Sequence, residues 1–134
     1  MTTTPVTRVQ SDSPWEETIG CAHAVAVGDR VLVSGALPLS GGNLQVEGTP
    51  YDQAKAALAH AMGALEQFGL GPDSVVRTRM YLTHTRDVDD VARAHKELFD
   101  SVRPAATVVV VSGFVDSRIV VQVEVEAYRG GGDA

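Results

Sequence analysis

Two carboxylates and two guanidinium groups stand in this sequence at a spacing that could do chemistry. Glu124 and Glu126 alternate with Val123, Val125 and Ala127, and Arg77 and Arg79 alternate with Val76, Thr78 and Met80. Residues two apart on an extended strand point to one side of a sheet, so each pair shares a face. A carboxylate in a semi-enclosed place can orient a water, or take a proton once burial raises its pKa. The same four residues can equally form an ion-pair lattice across strands or subunits, and spacing alone leaves both readings open. Cys21, the sole cysteine, is either a reactive thiol or, beside Ala22 and Ala24, a small buried hydrophobe. His23, His60, His84 and His95 are scattered, and His60 and His95 fall on the surfaces of expected amphipathic helices. No metal site is assembled from them. CxxC, HExxH and a Gly-rich loop with a phosphate-binding lysine are all absent, so the common metal, nucleotide and nucleophile motifs give no lead.

The elements that must position these groups are legible in outline. β-branched, alternating stretches bounded by Gly, Pro, Asp or Ser predict strands over 24–27, 30–34, 75–83, 107–111 and 119–128. A short edge strand over 6–9 is also possible to build. Gly28-Asp29 is the two-residue type that closes a hairpin, because glycine accepts a positive φ. Between Thr49 and Phe68 the residues Ala54, Leu58, Ala61, Met62, Leu65 and Phe68 recur at helical spacing. Thr49 suits the N-cap, Pro50 the first helical position, Asp52 the positive end of the dipole and Gly69 a left-handed stop. A second helix over about 87–99 carries Val88, Val91, Ala94, Leu98 and Phe99 on one side and ends before Pro104.

The order is then β-β-α-β-α-β-β in one α/β domain spanning 1–134, with 1–14 and 129–134 expected as flexible tails. Strands alternating with helices imply crossovers that lay both helices on one face of a mixed sheet. That apolar face takes Val76, Thr78, Met80 and Leu82 from one strand, and Ile119, Val121, Val123, Val125 and Ala127 from the last. The opposite face carries Arg77, Arg79, Tyr81, Gln122, Glu124, Glu126 and Tyr128. It is too mixed for an interior and too rich in Tyr and Val120 for plain solvent, so an oligomer interface with polar clefts is expected. A ring of three would satisfy closure, though nothing in the residues counts subunits.

Composition narrows the function classes. The 134 residues carry a formal charge of −6 and a pI near 5.0, which disfavours nucleic acid and anionic membranes as partners. One cysteine excludes an internal disulfide, the start MTTTPVT lacks the features of a secretory signal, and no apolar run could span a bilayer. A cytoplasmic location is expected.

Four segments, in order from about Trp15 to Tyr128, resemble the Rid family, the reactive intermediate deaminases of YjgF type. Cys21 to Asp29 followed by Val31-Leu32-Val33-Ser34-Gly35 is similar to the family's YSQAV-x-VG-x-x-x-x-VSG segment. Val75 to Thr83 resembles its VV-K/R-T-x-V-F/Y-L-T strand, Arg103-Pro104-Ala105 its K/R-P-A turn, and Val123 to Ala127 its terminal IEIEA strand. The resemblance implies a chorismate-mutase-like fold, a homotrimer with a central barrel, and small-molecule pockets in the clefts between subunits. It also implies hydrolysis of imines and enamines without a cofactor.

Carried over position by position, the family's pocket serine matches Ser34 and its water-holding glutamate matches Glu124. The tyrosine position holds Cys21, and the carboxylate-binding arginine is replaced by Ala106, next to Thr107. An alanine cannot supply the bidentate grip of a guanidinium on a carboxylate, so the resemblance is to a divergent branch lacking the deaminase arginine. Val108 replaces a common cysteine, and the loop 112–118 reads about three residues longer than usual, which would reshape the cleft rim. Expected roles are then Glu124 and Ser34 as the reacting pair, with Cys21, Arg79, Ala106 and Thr107 around the substrate. Arg79 is the substitute anion clamp. Two functions stay open: an enzyme acting without cofactor on a small reactive intermediate, and a non-catalytic metabolite-binding trimer. Older naming attaches ribonuclease activity to some relatives, but this acidic chain shows no basic stripe with interleaved aromatics.

Overall fold

The structure, a computed structural model, describes residues 4–130. Its main sheet has six strands: β1 (Val6–Val9), β2 (Ala24–Val27), β3 (Arg30–Ala36), β6 (Val75–Leu82), β7 (Ala105–Val110) and β8 (Val121–Tyr128), in the order β1-β2-β3-β8-β6-β7. All neighbours are antiparallel except β6 and β7. A two-stranded hairpin, β4 (Leu39–Ser40) and β5 (Asn43–Leu44), stands apart from it, and three helices complete the fold: α1 (Pro14–Ile19), α2 (Pro50–Glu66) and α3 (Val88–Phe99). This is the expected mixed sheet with two long helices on one face and the short edge strand over 6–9, enlarged by α1 and the β4–β5 hairpin. No helix among the described residues is long and apolar enough to cross a membrane.

The hairpin between β2 and β3 turns on Gly28, whose φ is +60°. Asp29 does not share the positive φ, as in a type II′ turn. Arg129 latches this turn from the other end of the chain, donating from its backbone N to Asp29 O (2.7 Å) and from Nε to Gly28 O (2.8 Å). Residue 129, expected within a tail, is therefore fixed; 131–134 lie outside the described residues. The expected tail over 1–14 also needs correction, since Val6–Val9 pairs with β2 in full register. Beyond it Ser13 caps α1, and Ser11 binds Glu16. The short edge strand expected over 6–9 is present.

α2 starts and stops as its sequence dictates. Thr49 and Asp52 form a reciprocal capping box, with Thr49 N donating to Asp52 Oδ2 (2.9 Å) and Asp52 N to Thr49 Oγ1 (3.2 Å). These bonds hold the Asp52 carboxyl below its ordinary range. At the other end Leu70 N reaches Leu65 O and Gly69 N reaches Glu66 O, both 3.0 Å, with Gly69 at φ +74°. That is a Schellman ending. The buried side of α2 is small: Ala54, Ala57, Ala61 and Ala64 are fully covered, beside Leu58 and Leu65. The helix backbone thus sits close over β3 and β8. Val91, Ala94 and Phe99 of α3 join the same core, as do Val121, Val123, Val125 and Ala127 of β8.

The register departs from the simple alternation at one place. Val75 pairs with Ala127 and the next pair is Arg77 with Glu126, so Val76 is an extra residue at a bulge. Val75 is buried and Val76 is exposed, reversing the expectation for Val76. From Arg77 onward the pattern holds, with Thr78, Met80 and Leu82 buried.

Candidate functional site

The bulge brings Arg77 and Arg79 onto the helix-free face in register with Glu126 and Glu124. Arg79 Nη1 lies 3.8 Å from Glu124 Oε1 and 3.5 Å from Glu126 Oε2, while Arg77 (3.8 Å) and Arg30 (3.3 Å) also approach Glu126. The lattice reading of these four residues is what the geometry displays. Each side chain keeps partial exposure, with Glu124 at 40% and Arg79 at 38%, so solvent screens the pairs and each is worth at most about 1 kcal/mol. Glu124 and Arg79 line a shallow cleft of about 190 Å³ with Leu32, Arg77 and Glu126.

Tyr81, two residues beyond Arg79 on the same side, donates its hydroxyl to Glu124 Oε1 at 2.7 Å. Donation to that carboxylate, with smaller contributions from burial and the nearby charge, pushes the phenol pKa above 10. Tyr81 was visible as a residue of the polar face, but only the register Tyr81–Gln122 and Arg79–Glu124 shows that it can reach diagonally to Glu124. Glu124 is thereby held between one neutral donor and one cation.

A second depression adjoins the first along β8, beginning at Gln122. It is a small, partly open cavity of about 70 Å³, lined by Trp15, Cys21, Ser34, Leu37, Val115 and Gln122 among others. Ser34 Oγ donates to Ala22 O (2.6 Å), leaving its lone pairs to accept from a ligand. Gln122 Nε2 donates to Gly35 O (3.1 Å) and lies so close over Gly35 that a Cβ there would meet it at 2.4 Å. The loop after β7 supplies Val115 to the rim. It is held on one side by Arg118 on Asp116 (Nη2 to Oδ2, 2.8 Å), whose hydrogen bonds depress the Asp116 pKa to about 2. On the other side Gln53 of α2 grips it, donating to Arg118 O (3.0 Å) and accepting from Val120 N (2.9 Å).

The structure therefore brings Cys21 and Ser34 together in one cavity and Glu124 and Arg79 together in the neighbouring cleft. Ala106 and Thr107 lie elsewhere in the chain, on the edge strand β7, paired with Thr78 and Arg79. Thr107 shares Arg79's face, whereas Ala106 lies on the face of buried Thr78. Neither lines the cavity of Cys21 and Ser34. The strand they belong to is exposed throughout, including Val108 (41%) and Val110 (50%).

The histidines separate into two kinds. His95 is half-buried, with Nε2 2.8 Å from Thr78 Oγ1 and its ring stacked 4.7 Å from Phe99, and burial lowers its pKa. It satisfies the one buried hydroxyl of β6. His23 and His60, 37 residues apart, meet at the back of the cavity with ring centroids 4.3 Å apart, and Glu16 of α1 joins them. The expectation that His60 is a simple surface residue and that the histidines gather nowhere is corrected here. Helical periodicity gave His60 its face, but only the packing of α2 across β2 gave it a neighbour.

The fold is a mixed α+β single domain with one polar, cleft-bearing sheet face, and comparison makes the class specific. The family model described as endoribonuclease L-PSP matches residues 17–129. Over all 134 residues the chain is 60% identical to an uncharacterized protein of Streptomyces coelicolor, covering 100% of each. A crystal structure from Mycobacterium tuberculosis, of a member of the YjgF/YER057c/UK114 family, superposes with a TM-score of 0.82 at 31% identity, covering 92% of this chain and 99% of that one. A Rid family protein from Yersinia pestis shares the fold with a TM-score of 0.80 at 22% identity, covering 92% and 99%. The chain belongs to the YjgF/Rid family.

Proposed function

We propose that this protein hydrolyses small imines or enamines, without a cofactor, in clefts formed between copies of the chain. The observation that carries the reading is Glu124: a carboxylate on the open sheet face, aimed by Tyr81 at 2.7 Å and next along β8 to the cavity of Ser34 and Cys21. In that place it can take a proton from a water attacking the C=N carbon and return it to nitrogen, so that the imine and water leave as a carbonyl compound and ammonia. Ser34 accepts a hydrogen bond from the substrate, and Cys21 shapes the wall. Arg79 makes both of its carboxylate contacts through Nη1, which leaves its other donors available to a ligand.

Assembly is supported by β7. A parallel edge strand with Val108, Val109 and Val110 exposed is a surface that proteins normally cover, and a neighbouring copy would bring Ala106 and Thr107 to the next chain's cleft. A ring of three closes such an arrangement. The test generates imines from amino acids with an oxidase and traps the remainder with semicarbazide. The reading expects faster disappearance with wild type and loss of that acceleration in Glu124→Gln. It also expects Ala106→Arg to raise activity on 2-iminoacids, because the guanidinium restores a bidentate carboxylate grip.

A second reading, a non-catalytic metabolite binder, is favoured by one observation: Arg79, the substitute for the arginine missing at Ala106, is already shared between two carboxylates. Tight metabolite binding without acceleration across a broad imine panel would select it.

A further inference from the structure

Glu16, His23 and His60 come from three different elements, and nothing in the proposed hydrolysis uses them. One ligand atom from each lies within 4.8 Å of the others. Glu16 and His23 are 7% and 4% exposed, and His60 is half-buried.

The hydrogen bonds fix which atoms face inward. His23 Nε2 is 3.1 Å from the His60 carbonyl oxygen. A carbonyl only accepts, so Nε2 carries a proton, and the neutral tautomer this selects has its lone pair on Nδ1. That lone pair has no hydrogen-bond donor among the described residues, and Glu16 Oε2 lies 3.9 Å from it. Two electron-rich atoms face one another in a buried place, which asks for a cation between them. Glu16 has no Lys or Arg partner among the described residues, although its side chain is only 8% exposed. Its orientation is fixed independently, because Oε1 accepts from Ser11 N (2.8 Å) and Gln10 Nε2 (3.0 Å), and Ser11 Oγ donates to Oε2.

The third group supplies a neutral ligand. Burial, then the neighbouring His23, lowers the His60 pKa to about 4 against the opposing pull of Glu16 and Asp12. A histidine that donates one ring N–H to a backbone carbonyl and turns the other nitrogen to a shared centre has the outer-shell support typical of metal ligands.

We propose that Glu16, His23 and His60 bind one divalent transition-metal ion of the zinc type, with its remaining coordination position open to the cavity of Cys21 and Ser34. Two imidazoles and a carboxylate suit zinc, cobalt or nickel, whereas magnesium and calcium take all-oxygen sets. Bonds of 2.0–2.1 Å in a tetrahedron place ligand atoms about 3.3 Å apart. Closing the set takes a turn of the half-buried His60 ring and an approach of Glu16 Oε2 and His23 Nδ1, now 3.9 Å apart, by about 0.6 Å. The site goes beyond the proposed hydrolysis, which requires no metal.

The full-length chain, stripped with EDTA, is titrated with Zn²⁺ by calorimetry and with Co²⁺ by visible absorption. The expected result is one ion per chain, with cobalt bands of tetrahedral intensity. His60→Ala should weaken binding at least tenfold, and His84→Ala, on an exposed loop, should leave it unchanged. Because His23→Ala removes a buried side chain and can fail to fold, the imidazole NMR signals of wild type provide a second reading. Zn²⁺ should shift His23 and His60 and spare His84 and His95. Affinity within threefold of wild type in His60→Ala, or zinc that leaves the His23 and His60 signals in place, would overturn the proposal.

Discussion

Replacing Gln53 tests how the fold holds its cleft rim. The Gln53 amide is 4% exposed and bonds the loop at two points, giving a proton to Arg118 O and taking one from Val120 N. Gln53→Ala removes both bonds and leaves a part-buried N–H and C=O without partners. Orphaning a fully buried group costs about 1–3 kcal/mol, and at these two part-buried atoms the lower end applies, about 1–2 each, so about 2–4 kcal/mol is expected. For a chain of this size that lowers Tm by roughly 10 °C or more.

Gln53→Glu separates the hydrogen-bond argument from simple loss of packing. A carboxylate still accepts from Val120 N, but it turns a lone pair toward Arg118 O, and the Arg118 guanidinium is already occupied by Asp116. The protonated acid can donate to Arg118 O, so the fold raises this carboxyl's pKa. A raised folded-state pKa gives stability that is fully present below the unfolded value near 4.3 and is lost as pH rises through the folded value. The stability deficit of Gln53→Glu relative to wild type should therefore be large at pH 7.5 and shrink at pH 4.5, measured by urea unfolding. An equal deficit at both values would refute the clamp.

Three further outcomes follow from the structure. Tyr81→Phe should lower kcat for imine hydrolysis about tenfold with KM nearly unchanged, while Tm moves by only a few degrees because the bond is half-exposed. In EDTA, wild type should lose stability as pH falls from about 6.5 toward 4. The unfolded His60 takes a proton in that window and the folded one, with its pKa near 4, does not. Partial exposure of the ring cuts the effect to about 1–2 kcal/mol, and His60→Gln should flatten that part of the pH–Tm curve. Thr49→Ala should cost about 1 kcal/mol by opening the capping box at the start of α2, read by chemical denaturation with an unchanged m-value.

The parts legible in the sequence are those governed by short-range rules. Val121, Val123, Val125 and Ala127 alternate with Gln122, Glu124 and Glu126, and this alone fixed the two faces of β8 and placed Glu124 with Arg79. Thr49, Pro50, Asp52 and Gly69 marked both ends of the helical region because caps are local hydrogen bonds. α1 was hidden because six residues carry no readable period, even though Ser13-Pro14 announces a helix start. The β4–β5 hairpin was hidden too: its Gly41-Gly42 turn has φ of +58° and +83°, but strands of two residues show no alternation. The meeting of His23 with His60, and the reach of Tyr81 to Glu124, depend on residues 37 and 43 positions apart. Such contacts follow from packing and register, which no local pattern encodes.

The position of β8 governs how this chain reaches its native state. The strand latest in sequence among the described residues lies in the middle of the sheet, between β3 and β6. Until it arrives, β1–β3 and β6–β7 are two separate half-sheets, each with an open margin and with half of the apolar layer beneath α2 missing. Nucleation must therefore wait for contacts between distant parts of the chain, which slows folding and binds the two halves into one cooperative unit. A chain ending before Val121 would lack the seam itself, so shortening from the C-terminus abolishes the domain instead of trimming it.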